Sequence, residues 1–341
     1  MTSSAIPAPK GFVYSDTDSH VECVYKDGEW GALETVADPY IKIHMSAGTL
    51  HYGQTIFEGM KAEKGKDGVV RLFRPDENAK RLNRSAKRLM MPTLDPDFFI
   101  EAVMKAVKEN IRFVPEFGTG SLYIRPYMFA TQPVLGLDPA TEYKFVVFVV
   151  PVGDFYSGAV QSIPAFVVEN SDRAAPLGVG AAKVAGNYAA SMASTREAKA
   201  NGYPITLFLD AKTRTYVEEF ATSNFVGISA CGQKYLTPCS ASILASITNK
   251  SLEALASDLG LSVERRPILI EEVKEFSEVG AVGTAVVCSP ISQIVYKSSV
   301  FNIRGTATGL GPILQKLYDA LRAVQQGEAE DKHGWIKIVT A

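Results

Sequence analysis

Between Pro75 and Leu89 the apolar residues Ala79, Leu82, Ala86 and Leu89 recur at spacings of three and four. That period places them on one face of a helix opened by a first-turn proline. Lys80, Arg81, Arg84, Lys87 and Arg88 fall between them and read as a solvated opposite face. A second helix opens at Asp95-Pro96, a capping residue followed by proline, and carries Phe99, Val103, Ala106 and Val107. Two strands follow, Ser121 to Phe129 and Tyr143 to Val150; the second is apolar on both faces and belongs inside a sheet.

Pro151-Val-Gly-Asp-Phe-Tyr-Ser-Gly158 interrupts this pattern with turn-forming residues. It predicts an N-terminal α/β domain over 1–150, a connection over 151–163 and a C-terminal domain over 164–341. In the latter, strands alternate with helices: Ala165 to Val168, a helix from Tyr188 to Ala200 ended by Gly202, Ile205 to Leu209, a helix from Ser246 to Leu259 ended by Gly260, and a strand from Ala281 to Cys288. A last helix carries Ile313, Leu314, Leu317, Leu321 and Val324 and precedes a tail around Trp335. The fold class is therefore mixed α/β with two domains, as 341 residues would suggest.

Composition narrows the possibilities. Apolar residues make up 46 % of the chain and charged residues 21 %, with no apolar run long enough to span a bilayer. A formal charge of -2 gives no electrostatic reason to expect nucleic acid or an anionic membrane, so small-molecule partners are expected. Residues 1–11 carry neither the apolar core of a secretion signal nor an Arg-rich amphipathic pattern and read as a short lead-in. Cys23, Cys231, Cys239 and Cys288 have no disulfide-scaffold spacing, which suits a cytoplasmic setting. The four histidines, His20, His44, His51 and His333, form no zinc-binding pair, and no metal site is expected.

The candidate chemistry lies around Lys183. Gly178-Val-Gly180-Ala-Ala-Lys183 is neither a dinucleotide fingerprint nor a P-loop, since the glycine and the Gly-Lys-Ser/Thr that those require are missing. What remains is a lysine among apolar residues, just before a helix. Such a setting favours the neutral, nucleophilic amine, although an exposed loop lysine reads the same way. Glu219 follows the turn at Asp210 to Thr213 on a short strand, with Glu218 on the other face; a solvated glutamate pair is the alternative. Ser246-Ile-Thr opens a helix whose Ile247 and Thr248 amides suit an anion.

Lys183-Val-Ala-Gly-Asn-Tyr188 resembles the cofactor-lysine segment of the branched-chain aminotransferases, in fold type IV of the pyridoxal phosphate enzymes. The likeness runs from about Tyr25 to the Trp335 tail through Leu50-His-Tyr-Gly-Gln-Thr-Ile-Phe-Glu-Gly59, Arg71-Leu-Phe-Arg-Pro75, Leu122-Tyr-Ile-Arg-Pro126, Glu219-x-x-x-x-Asn224 and Gly283-Thr-Ala285. It implies a two-domain fold with pyridoxal 5'-phosphate at the domain interface, bound to Lys183 as a Schiff base. By the same resemblance Glu219 faces the pyridine nitrogen, Tyr188 the phenolic oxygen, and Arg74, Thr284 and the Ile247 and Thr248 amides the phosphate. For Arg74 an ordinary strand-end arginine, and for Tyr188 a core tyrosine, are the alternatives.

The resemblance further implies transamination of L-leucine, L-isoleucine and L-valine with 2-oxoglutarate by a ping-pong route. The Thr284 and Ala285 amides and the Tyr52 hydroxyl of a second subunit would hold the substrate carboxylate, hence a homodimer. Phe57, Tyr123 and Tyr188 would wall the side-chain pocket, with Arg125 supplying a positive charge or, alternatively, a structural ion pair. A D-amino acid aminotransferase or an aminodeoxychorismate lyase of the same fold, or a non-catalytic binding protein on this scaffold, are the rival readings. Departures from the family pattern fall at Phe155, where many members have tyrosine, so the substrate-contacting hydroxyl belongs to Tyr156 or is missing. Ala245-Ser246 replaces a frequent Pro-Gly, and Val286 and Ser289 stand where mammalian members have Cys-x-x-Cys, so thiol regulation is not expected.

Overall fold

The computed structural model describes residues 11–153 and 160–340. The chain divides into two compact units, one built from Met1–Ser157, Lys183–Ala185 and Ala323–Ala341, the other from Gly158–Ala182 and Gly186–Arg322. Phe155 and Tyr156 lie outside the described residues, as does most of the N-terminal lead-in.

The first unit is an antiparallel sheet in the order Ile336–Ile338, Val70–Phe73, Met60–Lys64, Gly120–Ala130, Tyr143–Gly153, His20–Lys26, Glu29–Trp30. Glu34–Val36 adds to His20–Lys26, and Thr55–Phe57 adds to Gly120–Ala130. The doubly apolar strand beginning at Tyr143 sits inside the sheet, as its pattern predicts. It does not stop at Pro151 but continues through Gly153. The reason is local: His20–Lys26 pairs only with Tyr143 to Val147, so Pro151 faces Leu122 on one side and, among the described residues, no strand on the other. Proline is tolerated on such an edge.

Helices α1 (Gly48–Tyr52), α2 (Pro75–Arg88) and α3 (Pro96–Glu109) belong to this unit. Asp95 caps α3 by accepting the Asp97 and Phe98 amides, and Phe99, Val103, Ala106 and Val107 are buried as their spacing requires. In α2, Ala79, Leu82 and Ala86 are buried and Lys80, Arg84, Lys87 and Arg88 are exposed.

Arg81 departs from the solvated-face reading. It is buried, and its Nε and Nη2 donate to the Glu58 carboxylate at 2.8 and 2.7 Å. Asn78 Nδ2 donates to the same carboxylate at 2.7 Å, and Glu58 is fully buried. The cause is helical phase: Asn78, Arg81 and Ser85 follow at spacings of three and four, forming a polar row beside the apolar one, and all three are buried. Removing one partner of such a pair costs about 3–5 kcal/mol.

The second unit carries a mixed sheet in the order Val217–Phe220, Ile205–Leu209, Ile163–Val167, Cys288–Tyr296, Glu278–Val282, Asn224–Ile228, Lys234–Thr237, Ser262–Arg265. Glu219 also pairs with Asn224, so the first and sixth of these strands meet and the sheet closes on itself. Leu207, Phe220, Phe225, Val279, Ile291 and Ile294 fill its core. The region read as one strand from Ala281 to Cys288 is instead the bend between two antiparallel strands, with Val282 opposite Cys288. Apolar residues on both sides of the bend hid it from the pattern.

Helices α4 (Ala185–Ala200) and α5 (Ile247–Asp258) belong to the second unit from Gly186 on. The α4 helix begins before Tyr188, ahead of the start read from the sequence. Helix α6 (Pro312–Gln326) buries Leu314, Leu317, Leu321 and Val324, and its first turn is capped by buried Glu278, which accepts the Ile313 and Leu314 amides at 3.0 and 2.8 Å. Among the described residues no helix is long and apolar enough to cross a membrane.

Candidate active site

In the first unit the structure gathers four of the singled-out residues. Lys183 Nζ lies 4.7 Å from the centroid of the Phe57 ring. The Arg125 guanidinium stacks over the same ring at 4.8 Å, and its Nη2 donates to the Tyr123 hydroxyl at 3.0 Å. The cluster has a backbone cause. Val184 bridges Ile56, and the Phe57 amide donates to the Lys183 carbonyl at 3.1 Å, so Lys183 runs alongside the strand bearing Phe57. Gly59 makes room for Tyr123, because a Cβ there would collide with the phenol. Arg125 therefore touches aromatic rings and a phenol.

Arg74 occupies the N-cap of α2 in the left-handed region (φ 50°, ψ 47°), with its guanidinium 5.0 Å from the Trp335 ring centroid. Tyr52 stands apart, exposed on α1, where its hydroxyl donates to the Leu135 carbonyl.

In the second unit Glu219 is buried, not solvated. Its Oε1 accepts the Leu244 amide at 3.0 Å and lies 2.8 Å from Arg173 Nη2; its Oε2 accepts Asn224 Nδ2 at 2.9 Å. The Glu219-x-x-x-x-Asn224 spacing is thus a hairpin register that sets the two side chains opposite each other. Glu218 is also buried and accepts from the Ser240 hydroxyl at 2.8 Å. Burial pushes its carboxyl above the ordinary range, with Ser240 and the charge of Arg173 pulling the other way.

The Leu244 contact ties Glu219 to the start of α5. There Ser246 Oγ accepts the Asn249 amide at 3.1 Å. Ile247 and Thr248, both buried, present first-turn amides that have no intrahelical acceptor. Thr284 and Ala285 lie in the bend after Val282, whose strand partner is Asn224, so this bend and the 221–223 turn share one end of the sheet. Tyr188 is half-buried in α4, where Asn187 Nδ2 ties the helix start to the Val179 and Ala182 carbonyls, both at 2.9 Å.

Arg173 carried no sequence signal, since its partners are remote in the chain. Its Nη2 also donates to the Ser242 carbonyl and, at 3.2 Å, to that of Gly180. Gly180 now has a physical reason: any Cβ there would strike Ser242 and the Arg173 guanidinium.

The profile of the amino-transferase class IV family matches residues 55–294, a span that includes the lysine cluster, the Glu219 hairpin and the start of α5. The chain belongs to the class IV aminotransferases. It is 41 % identical over 329 residues to a branched-chain-amino-acid aminotransferase of Helicobacter pylori, covering 96 % of this chain and 95 % of that one. The branched-chain amino acid aminotransferase of Escherichia coli is similar in structure with a TM-score of 0.79 at 28 % identity, over 94 % of this chain and 100 % of that one. The branched-chain aminotransferase of the thermophilic archaeon Thermoproteus uzoniensis, solved with norvaline, is similar with a TM-score of 0.77 at 26 % identity, over 94 % and 100 %.

The fold is thus that of the fold type IV enzymes, and class IV aminotransferases use pyridoxal phosphate. The donor chemistry of this class IV chain fits that group. A buried carboxylate with fixed lone pairs suits a protonated ring nitrogen, and buried first-turn amides at the same sheet end suit a phosphate.

Proposed function

We propose that this protein transfers the amino group of L-leucine, L-isoleucine or L-valine to 2-oxoglutarate, giving the branched-chain 2-oxo acids and L-glutamate. The reading is carried by the cluster in which Lys183, Arg125 and Tyr123 meet around Phe57. Aromatic walls suit an aliphatic side chain, and a guanidinium held on those walls suits the second carboxylate of glutamate. Apolar contacts separate substrates differing by one methylene by only about 1–3 kcal/mol, so all three branched amino acids are expected to react.

When bound, pyridoxal 5'-phosphate supplies an electron sink for negative charge at the substrate α carbon. Lys183 holds the group and moves the proton at that carbon. By the family resemblance Glu219 would keep the ring nitrogen protonated, and Tyr188 would donate to the phenolic oxygen. Arg74, Thr284 and the Ile247 and Thr248 amides would take the phosphate. Thr284 and Ala285 amides orient the substrate α-carboxylate.

A panel of amino donors and oxo acceptors on the purified holoenzyme tests this. Turnover with the L-forms of the three branched amino acids and 2-oxoglutarate is expected; preference for D-leucine, or pyruvate release from aminodeoxychorismate, would sink it.

A homodimer in which Tyr52 serves the neighbouring site completes the reading. Leu135 and Leu137 are 87 % and 82 % exposed, and Leu135 is the residue whose carbonyl Tyr52 engages. Two large apolar side chains left exposed two residues apart in the chain suit an association surface. Leu135→Glu combined with Leu137→Glu is expected to lower the sedimenting mass to that of one chain, whereas a variant sedimenting like the wild type would contradict the dimer. A cytoplasmic location accords with four cysteines that are all free.

A further inference from the structure

We propose that α2 is a positioning frame for the reactive lysine, in which Ser85 fixes the Lys183 backbone and Arg81 and Asn78, through Glu58, fix the strand beside it. The inference rests on Lys183 being the cofactor lysine, as proposed above.

The Lys183 peptide is gripped on both sides. Its N–H donates to Ser85 Oγ at 2.9 Å, and its carbonyl accepts the Phe57 amide at 3.1 Å. Phe57 is followed directly by Glu58, whose carboxylate is pinned to Arg81 and Asn78 of the helix that carries Ser85. The contacts therefore close on themselves: α2 to Glu58, Glu58 to its chain neighbour Phe57, Phe57 to Lys183, Lys183 to Ser85 and back to α2.

Asn78, Arg81 and Ser85 follow one another at spacings of three and four, and Arg74 stands at the N-cap of the same helix, so α2 joins the proposed phosphate arginine to the lysine support. A lysine side chain has four rotatable bonds, and a fold can fix only where it starts and what it brushes against. Here the start is set by two hydrogen bonds, and the Phe57 ring lies along the path at 4.7 Å from Nζ. Ser85 is 1 % and Glu58 0 % exposed, so water cannot substitute for the contacts they make. Displacing a reacting group by about 1 Å can cost about 10²-fold in rate, so loosening this frame should act on the chemical step more than on substrate binding.

Ser85→Ala, Ser85→Thr and Glu58→Gln are compared as holoenzymes, with melting temperature, kcat, KM for L-leucine and the visible absorbance of the bound cofactor measured on each. Ser85→Ala is expected to lower kcat by about 10- to 100-fold with KM changed less than about threefold, and to shift the absorbance maximum. Ser85→Thr, which retains a hydroxyl, is expected to restore both. Glu58→Gln is expected to show the same split, which keeps the inference testable if Ser85→Ala does not fold. A lower melting temperature with wild-type kcat and spectrum in both Ser85→Ala and Glu58→Gln would mean a merely structural row and would overturn the frame. A wild-type protein without borohydride-sensitive absorbance would instead overturn the role of Lys183 itself.

Discussion

A Lys183→Ala protein is expected to lose transamination by at least the roughly 10²- to 10⁴-fold that a positioned proton-transfer group contributes, and to lose every cofactor signal that borohydride makes permanent. The neighbours of Lys183 predict that this loss comes without collapse. Alanine keeps the backbone contacts of this position, the N–H to Ser85 and the carbonyl to the Phe57 amide. The side chain is half-buried and holds its amine over the Phe57 ring. A folded protein, with circular dichroism like the wild type, is therefore expected while turnover disappears. Wild-type turnover of L-leucine by Lys183→Ala would remove the basis of the proposed reaction, and mass spectrometry of the borohydride-treated wild type should find the added mass on the Lys183 peptide.

The second large effect is expected at Arg173. Replacing it by methionine leaves the Glu219 carboxylate buried beside Asn224 and Leu244 with its counter-charge gone. Breaking a buried pair in this way costs about 3–5 kcal/mol. For a unit of this size each kcal/mol lowers the melting temperature by about 2–4 °C. Because Glu219 is the proposed partner of the ring nitrogen, kcat should fall as well. Combining Arg173→Met with Glu219→Gln separates the two effects. Part of the lost stability should return in the double variant, since Glu219 no longer carries a stranded charge although Glu218 and the Ser242 and Gly180 carbonyls still lack Arg173, while activity should not. Strictly additive losses of stability would show that the two side chains are not coupled and that Arg173 is not what holds the carboxylate.

How much of this was legible in the chain depended on whether a residue's partner was near in sequence or regular in phase. Asp95-Pro96, the leucine row of α6 and the Ser246 cap announced their helices because caps and periods are local. The burial of Arg81 is not legible, because a charge beside an apolar row looks the same whether it meets water or a buried carboxylate, and Glu58 comes from another element. Ser85 and Arg173 were silent for the same reason. The bend at Gly283 to Val287 looks like strand because Val282 precedes it and Val286 and Val287 close it. Nor does any local pattern announce that Lys183–Ala185 joins the first unit while the residues on either side join the second.

The backbone of Arg74 sets two kinds of selection against each other. A residue with a Cβ held in the left-handed region is disfavoured by roughly 1–2 kcal/mol, a cost that glycine escapes. Lineages or laboratory libraries screened for heat resistance alone would drift toward glycine at this position. Those screened for growth that depends on the reaction would be held at arginine by its proposed grip on the phosphate. An arginine kept there, although glycine is a single nucleotide change away, would then measure how much turnover is worth to the cell that carries it.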